Sequence, residues 1–432
     1  MTAYALLPAN ARGTVLRNLA LKALSLGLER GCRLVVTVAS APILGEAAFG
    51  RFVFAATVTA ILALAADLGL GLWTTRSLAR AEAPAAQVVR VGLSLRALST
   101  VPYLLAVAVA ALLSADVETR AVLVVLGASA LFNSFADHLG AILRGEERFA
   151  DEARLNATRA VLVVVLGFGA LFTHRGLVGL SVALAAAGLG ACGYGAFALV
   201  RRHAIWTSAG PHSMSDRLLR RLALRQALPI WIAGLLSLLY FKVDTFFVRA
   251  FAGDAELGAY GVAYKVFEGA MLLPAVILAV TFPRLVRAFA DPPAHRRLER
   301  RLAAALLALG TCVGALCFFA RDPLIVLVFG RAFVRSVDSL AVLSLGIPLV
   351  FLNFGLTHFL IARHLERVNT WLALMMLAVT VTLDSVLVPH GSGPGAALAT
   401  VLAEVALTLG CLLALRAPPR APAASSTART SG

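Results

Sequence analysis

Gly45-Glu46-Ala47-Ala48-Phe49-Gly50-Arg51-Phe52, followed by Ala55, returns at a constant offset of 208 residues as Gly253-Asp254-Ala255-Glu256-Leu257-Gly258-Ala259-Tyr260, followed by Ala263. Each copy joins the first two long apolar segments of its half of the chain, and small residues at such a turn let two helices approach closely. Outward from these copies the apolar segments divide into twelve spans, at about 15–43, 51–78, 88–113, 119–143, 153–173, 176–200, 227–251, 257–282, 301–320, 338–362, 368–388 and 394–416. A membrane helix needs about 20 mostly apolar residues, which each span supplies. Six spans per half is an even number, so both halves run in the same direction and the repeat axis lies along the membrane normal. Helices are the expected spanning structure, because the backbone must satisfy its own hydrogen bonds in lipid. The alternating segments of a β-barrel are absent. The expected fold class is an all-α membrane protein with about twelve transmembrane helices in two pseudo-symmetric six-helix lobes. The lobes are expected at 1–200 and 227–416, with a cytoplasmic linker at 201–226 and a disordered cytoplasmic tail at 417–432. The apolar stretch from Pro323 to Phe333 is too short to span and reads as a re-entrant or interfacial piece.

A hydrophobic content of 60% and a mean hydropathy of +0.86 over 432 residues exclude an ordinary soluble fold. The 39 Lys and Arg against 23 Asp and Glu give a net charge of +16. These cations are spread over alternate connections instead of gathered in one domain, which argues against nucleic acid as a partner. Cytoplasmic loops collect Lys and Arg, so the alternation places both termini in the cytoplasm of a multi-pass protein of the bacterial inner (plasma) membrane. Anionic headgroups of the membrane lipids account for the remaining excess. The five cysteines all fall in apolar segments without metal spacing and read as small packing residues. No cleavable signal peptide is evident at the N-terminus. There is no phosphate-binding loop, dinucleotide fingerprint, nucleophile elbow or zinc-protease motif. The reading is therefore a non-enzyme with no catalytic residues, no metal and no cofactor.

Charges inside spans are expensive and usually face a cavity or a partner. They are Glu29, Arg30 and Arg33 in the first span, Asp67 in the second, Asp137 and His138 in the fourth, and Arg159 in the fifth. Lys242 and Asp244 follow in the seventh span, and Lys265 and Glu268 in the eighth. Glu29 with Arg33, and Lys265 with Glu268, have the spacing of a local ion pair as well as of a cavity lining. Lys242 and Asp244 are two apart, point to different faces and need partners elsewhere. Asp137 and Arg159 lie near span ends, where they can snorkel. The Lys and Arg among these residues outline a cavity tuned for an anion, since guanidinium forks and ammonium groups suit phosphate oxygens.

Several segments in order resemble the polysaccharide biosynthesis (O-antigen-type) flippases of the multidrug/oligosaccharidyl-lipid/polysaccharide superfamily. They are Gly45-Glu46-x-x-Phe49-Gly50-x-Phe52, Asp67-Leu68-Gly69-Leu70, Arg144-Gly145-Glu146-Glu147-Arg148-Phe149 and Tyr240-Phe241-Lys242-Val243-Asp244. Gly258-Ala259-Tyr260 with Ala263-Tyr264-Lys265, Phe282-Pro283-Arg284, and Gly393-Pro394-Gly395-Ala396-Ala397 ending at Glu404 complete the series. The resemblance implies alternating access by two six-helix lobes that carry a polyprenyl-pyrophosphate-linked oligosaccharide to the outer leaflet for cell-surface polysaccharide such as the O-antigen of lipopolysaccharide. Other polysaccharide assembly proteins are the implied protein partners. Arg30, Arg33, Lys242 and Lys265 are the expected substrate-binding residues. Asp67, Asp244 and Glu268 are the candidates for proton or sodium coupling, with a structural Asp244–Lys265 pair as the alternative for Asp244. A multidrug exporter of the same superfamily, and a membrane glycan polymerase or ligase, are the competing functions.

Overall fold

A computed structural model describes residues 9–81, 83–201, 214–288, 291–363 and 365–416. Among them there is no strand. The helices of the first half are α1 (Ala9–Leu44), α2 (Glu46–Asp67), α3 (Leu70–Ala79), α4 (Ala85–Leu113), α5 (Val117–Gly145), α6 (Phe149–Phe172) and α7 (Gly176–Val200). Those of the second are α8 (Met214–Lys242), α9 (Asp244–Ala270), α10 (Leu272–Ala288), α11 (Pro292–Phe319), α12 (Arg321–Phe329), α13 (Ser336–Ala362) and α14 (Glu366–Leu415). Among the described residues, nine helical runs are long and apolar enough to cross a membrane, and two of them, Asp216–Leu278 and Glu366–Leu415, have 63 and 50 residues. At about 1.5 Å per residue each of those two has room for two passes. Counting them so, and adding the 36-residue α1 with its internal charges, gives the twelve expected spans.

One expected span is broken. The second changes direction between α2 and α3, where Leu68 and Gly69 take left-handed conformations (φ 52° and 71°). A Cβ on Gly69 would sit 2.9 Å from the Ala227 carbonyl oxygen, so the break is also where α8 touches the first half. Val243 in the seventh and Met271 in the eighth, the junctions of α8 with α9 and of α9 with α10, keep helical backbone angles (φ −66° and −63°). The tail 417–432 and linker residues 202–213 lie outside the described residues. The rest of the expected linker is not a loop, because α8 begins at Met214 and continues into the seventh span. Its first turns are tied down on the first half. Ala223 and Ala227 are buried with Leu70, Trp73 and Val88, and Asp216 accepts hydrogen bonds from Gln87 (2.6 Å) and Arg90 (3.0 Å).

The repeat is visible in the backbone. Gly45 (φ 80°, ψ 169°) and Gly253 (φ 85°, ψ −179°) share a conformation that only glycine adopts readily. Five residues on, α2 and α9 cross at Gly50 and Gly258. A Cβ on Gly50 would lie 1.8 Å from the Asp254 carbonyl oxygen, and one on Gly258 would lie 2.0 Å from that of Glu46. Glu46 and Asp254 are themselves equivalent in the repeat, so the contact is reciprocal, as a two-fold axis between the halves requires. At the other end of the bundle, where the Arg-rich connections lie, Arg148 donates to the Ala198 carbonyl (2.9 Å) and Arg363 to that of Leu415 (2.8 Å). Arg148 stands at the start of α6, just after the fourth span, and Arg363 ends the fourth span of the second half; each reaches the end of the sixth. The stretch expected to be re-entrant is α12 and a 3-10 turn (Arg331–Phe333) that buries Ile325, Phe329 and Phe333. Phe333 meets the ring of Phe49 edge-on at 6.1 Å, against the α2–α9 crossing.

Candidate functional site

The closed α2–α9 crossing roofs a cavity of about 910 Å³. The lining runs from Phe52 and Val53 beside the crossing to Thr75 and Arg144 at the basic end. Three of the four sequence-assigned cations line it, namely Arg33, Lys242 and Lys265, together with Glu268 and Asp67. Counted along their helices from the Gly45 and Gly253 turns, these cations sit about 16–18 Å down, near the middle of a hydrocarbon core of about 30 Å. The fourth, Arg30, is exposed and is not part of the lining. It lies three residues from Arg33, which is itself about half exposed but lines the cavity beside Glu29.

Glu268 holds the lysines. Its carboxylate accepts from Lys265 at 2.6 Å and from Lys242 on α8, so one acid bridges two ammonium groups of neighbouring helices. The Lys242 ammonium also lies 4.8 Å from the centre of the Tyr264 ring, a cation–π contact. Arg33 donates to Glu29 at 2.6 Å, the local pair that its spacing suggested. Arg159 is not snorkelling. It is 4% exposed, lies 2.8 Å from Asp137 and 3.8 Å from Glu29, and so joins α1, α5 and α6. α2 and α5 add uncharged polar groups to the lining, among them Thr57, Thr59, Ser129, Asn133 and Ser134, beside Asp67 and Asp137. Sequence reading overlooked these groups because it looked only for charges.

It also overlooked Arg96. This residue is 2% exposed and donates to Asp67 at 2.9 Å and to the Ala66 carbonyl at 3.3 Å. The α2–α3 break frees that carbonyl and aims Asp67 at α4. Of the pair, only Asp67, 27% exposed, faces the cavity. The asymmetry predicts unequal mutants. Asp67→Asn strands a permanently charged, buried guanidinium and is expected to cost about 3 kcal/mol or more. Arg96→Met leaves a carboxylate that cavity water can hydrate, and should cost clearly less. Thermal unfolding of the two purified variants checks the order, and equal losses would show that Asp67 is not hydrated.

Asp244 takes no part in the cavity and does not pair with Lys265. It is 3% exposed and accepts from the Tyr260 hydroxyl and from the Thr245 amide (2.7 Å). Asp384 of α14, unnoticed in the sequence, is fully buried close enough to Asp244 for the two charges to interact. Both Asp384 carboxylate oxygens lack a hydrogen-bond partner among the described residues. Asp67 and Glu268 thus form ion pairs, whereas Asp244 forms none among the described residues and lies within reach of the charges of both Asp384 and Lys242.

The comparisons with known proteins fit this architecture. A multidrug resistance MATE family transporter of the MOP superfamily, in an inward-facing conformation, superposes with a TM-score of 0.71 at 17% identity, covering 90% of this chain and 94% of that one. The lipid II flippase MurJ, inward closed, gives 0.70 at 14% identity, covering 92% and 88%. A MOP superfamily transporter from Pyrococcus furiosus, described as having a binding pocket of reversed polarity, gives 0.66 at 17% identity, covering 93% and 95%. No curated protein matches the chain by sequence. The family model described as "Polysaccharide biosynthesis protein" matches residues 15–289. That match spans the α2–α9 repeat, both lysines and Glu268, and by it the chain belongs to the polysaccharide biosynthesis protein family, on a fold shared with MOP superfamily transporters.

Proposed function

We propose that the protein is a flippase that moves a polyprenyl-pyrophosphate-linked oligosaccharide from the cytoplasmic to the outer leaflet by alternating access. The observation that carries this reading is the cluster of Arg33, Lys242 and Lys265 at mid-depth in a cavity to which α2 and α5 add hydroxyl and amide groups. Pyrophosphate oxygens need countercharge where water is scarce, and sugars need hydrogen-bonding groups, so the two sets of groups suit the two parts of such a cargo. Arg33, Lys242 and Lys265 are the proposed headgroup contacts, and Arg30 is left out of the set. In this reading the basic end faces the cytoplasm, and the α2–α9 crossing closes the outer side. The two halves, 1–200 and 227–416, move against each other about that crossing. Cell-surface polysaccharide of the O-antigen type, in the bacterial inner membrane, is the proposed setting, with other polysaccharide assembly proteins as neighbours. Coupling to a proton or sodium gradient falls to Asp244 and Asp384, because two neighbouring buried acids that form no ion pair among the described residues can take up positive charge from solution.

Deletion of the gene is expected to leave lipid-linked repeat units facing the cytoplasm. Normal surface glycan with raised sensitivity to cationic dyes would favour multidrug export, whose substrates call for a more acidic cavity. Normal flipping with a failure only in glycan chain assembly would favour a polymerase or ligase.

A further inference from the structure

The second half encloses another chamber, of about 170 Å³, that shares no lining residue with the cationic cavity. α8 contributes Tyr240 to it, α13 contributes Asn353 and His358, and α14 contributes Asn369 and Glu404. Asn369 stands in the first turn of α14, so the chamber reaches toward the basic end. Glu404 lies deep inside, about 16 Å from the end of α14 at about 1.5 Å per residue, and is 2% exposed.

The surroundings of Glu404 are polar but not cationic. Its Oε2 accepts from the Asn353 side-chain amide at 2.7 Å. That amide is held in turn, donating also to the Glu404 carbonyl (2.9 Å) and accepting from the Thr408 hydroxyl (2.9 Å). The titratable groups that face the carboxyl are Tyr240 of α8, Tyr264 of α9 and Cys411 of its own helix. His358 of α13 shares the chamber. The His358 Nδ1 lies 2.7 Å from the Phe354 carbonyl oxygen. A carbonyl can only accept, so Nδ1 carries a proton and the neutral ring offers a lone pair at Nε2. No Lys or Arg among the described residues forms an ion pair with Glu404. An ionised carboxylate at this depth without countercharge costs several kcal/mol, and the group escapes that cost by taking up a proton. No group of three or more His, Cys, Asp or Glu able to hold a metal ion occurs among the described residues.

We infer that Glu404 is a proton-binding site of this protein, loaded through the chamber of the second half and separate from the cationic cavity. The inference does not depend on which cargo the cavity carries. Asn353 presents a neutral donor that serves the carboxyl in either protonation state, and the chamber gives the proton its route from the basic end. Neither of the acids proposed for coupling, Asp244 and Asp384, lines this chamber.

Infrared spectroscopy of the reconstituted full-length protein tests this without any substrate. The carbonyl stretch of a protonated carboxylic acid is followed from about pH 5 to about pH 9, a range well above the usual carboxylate titration. A band present at neutral pH, lost at high pH and missing in Glu404→Gln is expected, with the same profile in sodium and in sodium-free buffer. Asn353→Ala removes a donor that favours the charged form and should move the loss of the band to higher pH. A Glu404→Gln spectrum identical to that of the native protein would overturn the assignment, as would loss of the band on adding sodium at fixed pH. If Glu404→Gln does not elute as folded protein, the Asn353→Ala profile decides, and an unshifted one rejects the site.

Discussion

Gly258→Ala is expected to force the roof of the cavity open. The added methyl would lie 2.0 Å from the Glu46 carbonyl oxygen, and the obstacle is backbone, which cannot rotate aside. α2 and α9 have to separate, and overpacking of this kind costs about 1–3 kcal/mol. Set against a two-state equilibrium, that shifts populations by about 5- to 150-fold. Spin labels at Ile43 and Phe251, both exposed beside the crossing, should move apart by a few ångströms, and transport should fall by at least about fivefold. Gly50→Ala, its partner in the repeat, should do the same, since its methyl would meet the Asp254 carbonyl at 1.8 Å. Gly253→Ala separates sterics from backbone preference. Nothing lies within 4 Å of its Cβ position, yet φ is +85°, so it should lower stability by about 1–3 kcal/mol while leaving the label distance unchanged. An unchanged distance with full transport in Gly258→Ala would mean that the crossing is not the closure.

The fold was legible because it rests on composition and repetition. Long apolar runs admit few alternatives in a membrane, and a matched turn recurring at a fixed offset specifies the relation of the halves. The break inside the second span was not legible. Asp67-Leu68-Gly69 lies inside one long apolar run, and only the left-handed conformations of Leu68 and Gly69 divide α2 from α3. Arg96 was lost for the same reason. It lies near the start of its span and was counted with the basic connection before it, whereas the bend of α2 brings Asp67 to it. Arg33, Lys242, Lys265 and Glu268 were found because a charge in a span is conspicuous. Asp384 was equally conspicuous, a lone acid near the end of an apolar run, and it should have been named. Glu404 was noticed only as the end of a motif. That Lys242 shares Glu268 with Lys265, while Asp244 turns to Tyr260, depends on how α8 and α9 pack together, which no spacing rule announces.

The shared carboxylate makes a prediction whose sign separates two roles. Glu268 occupies the lysines much as an incoming pyrophosphate would, so in the proposed reading it is the anion that the cargo displaces. Hydrogen bonds to charged groups are worth about 1.5–3 kcal/mol, and each 1.4 kcal/mol is about tenfold in affinity. Lys242→Met or Lys265→Met should therefore weaken binding of undecaprenyl pyrophosphate by about 10- to 100-fold. Glu268→Gln should act in the opposite direction. The lysines no longer have an internal partner, and binding should tighten by about tenfold or more. Release in the other leaflet then has no carboxylate to reclaim the lysines, so turnover in a flipping assay should fall even as affinity rises. Binding to the purified protein and flipping in proteoliposomes, measured on the same variants, give the two readouts. If Glu268→Gln weakens binding as the lysine variants do, Glu268 positions the lysines and does not compete with the cargo. If neither lysine variant changes binding, the headgroup lies elsewhere in the cavity, and the uncharged polar groups of α2 and α5 become the next place to look.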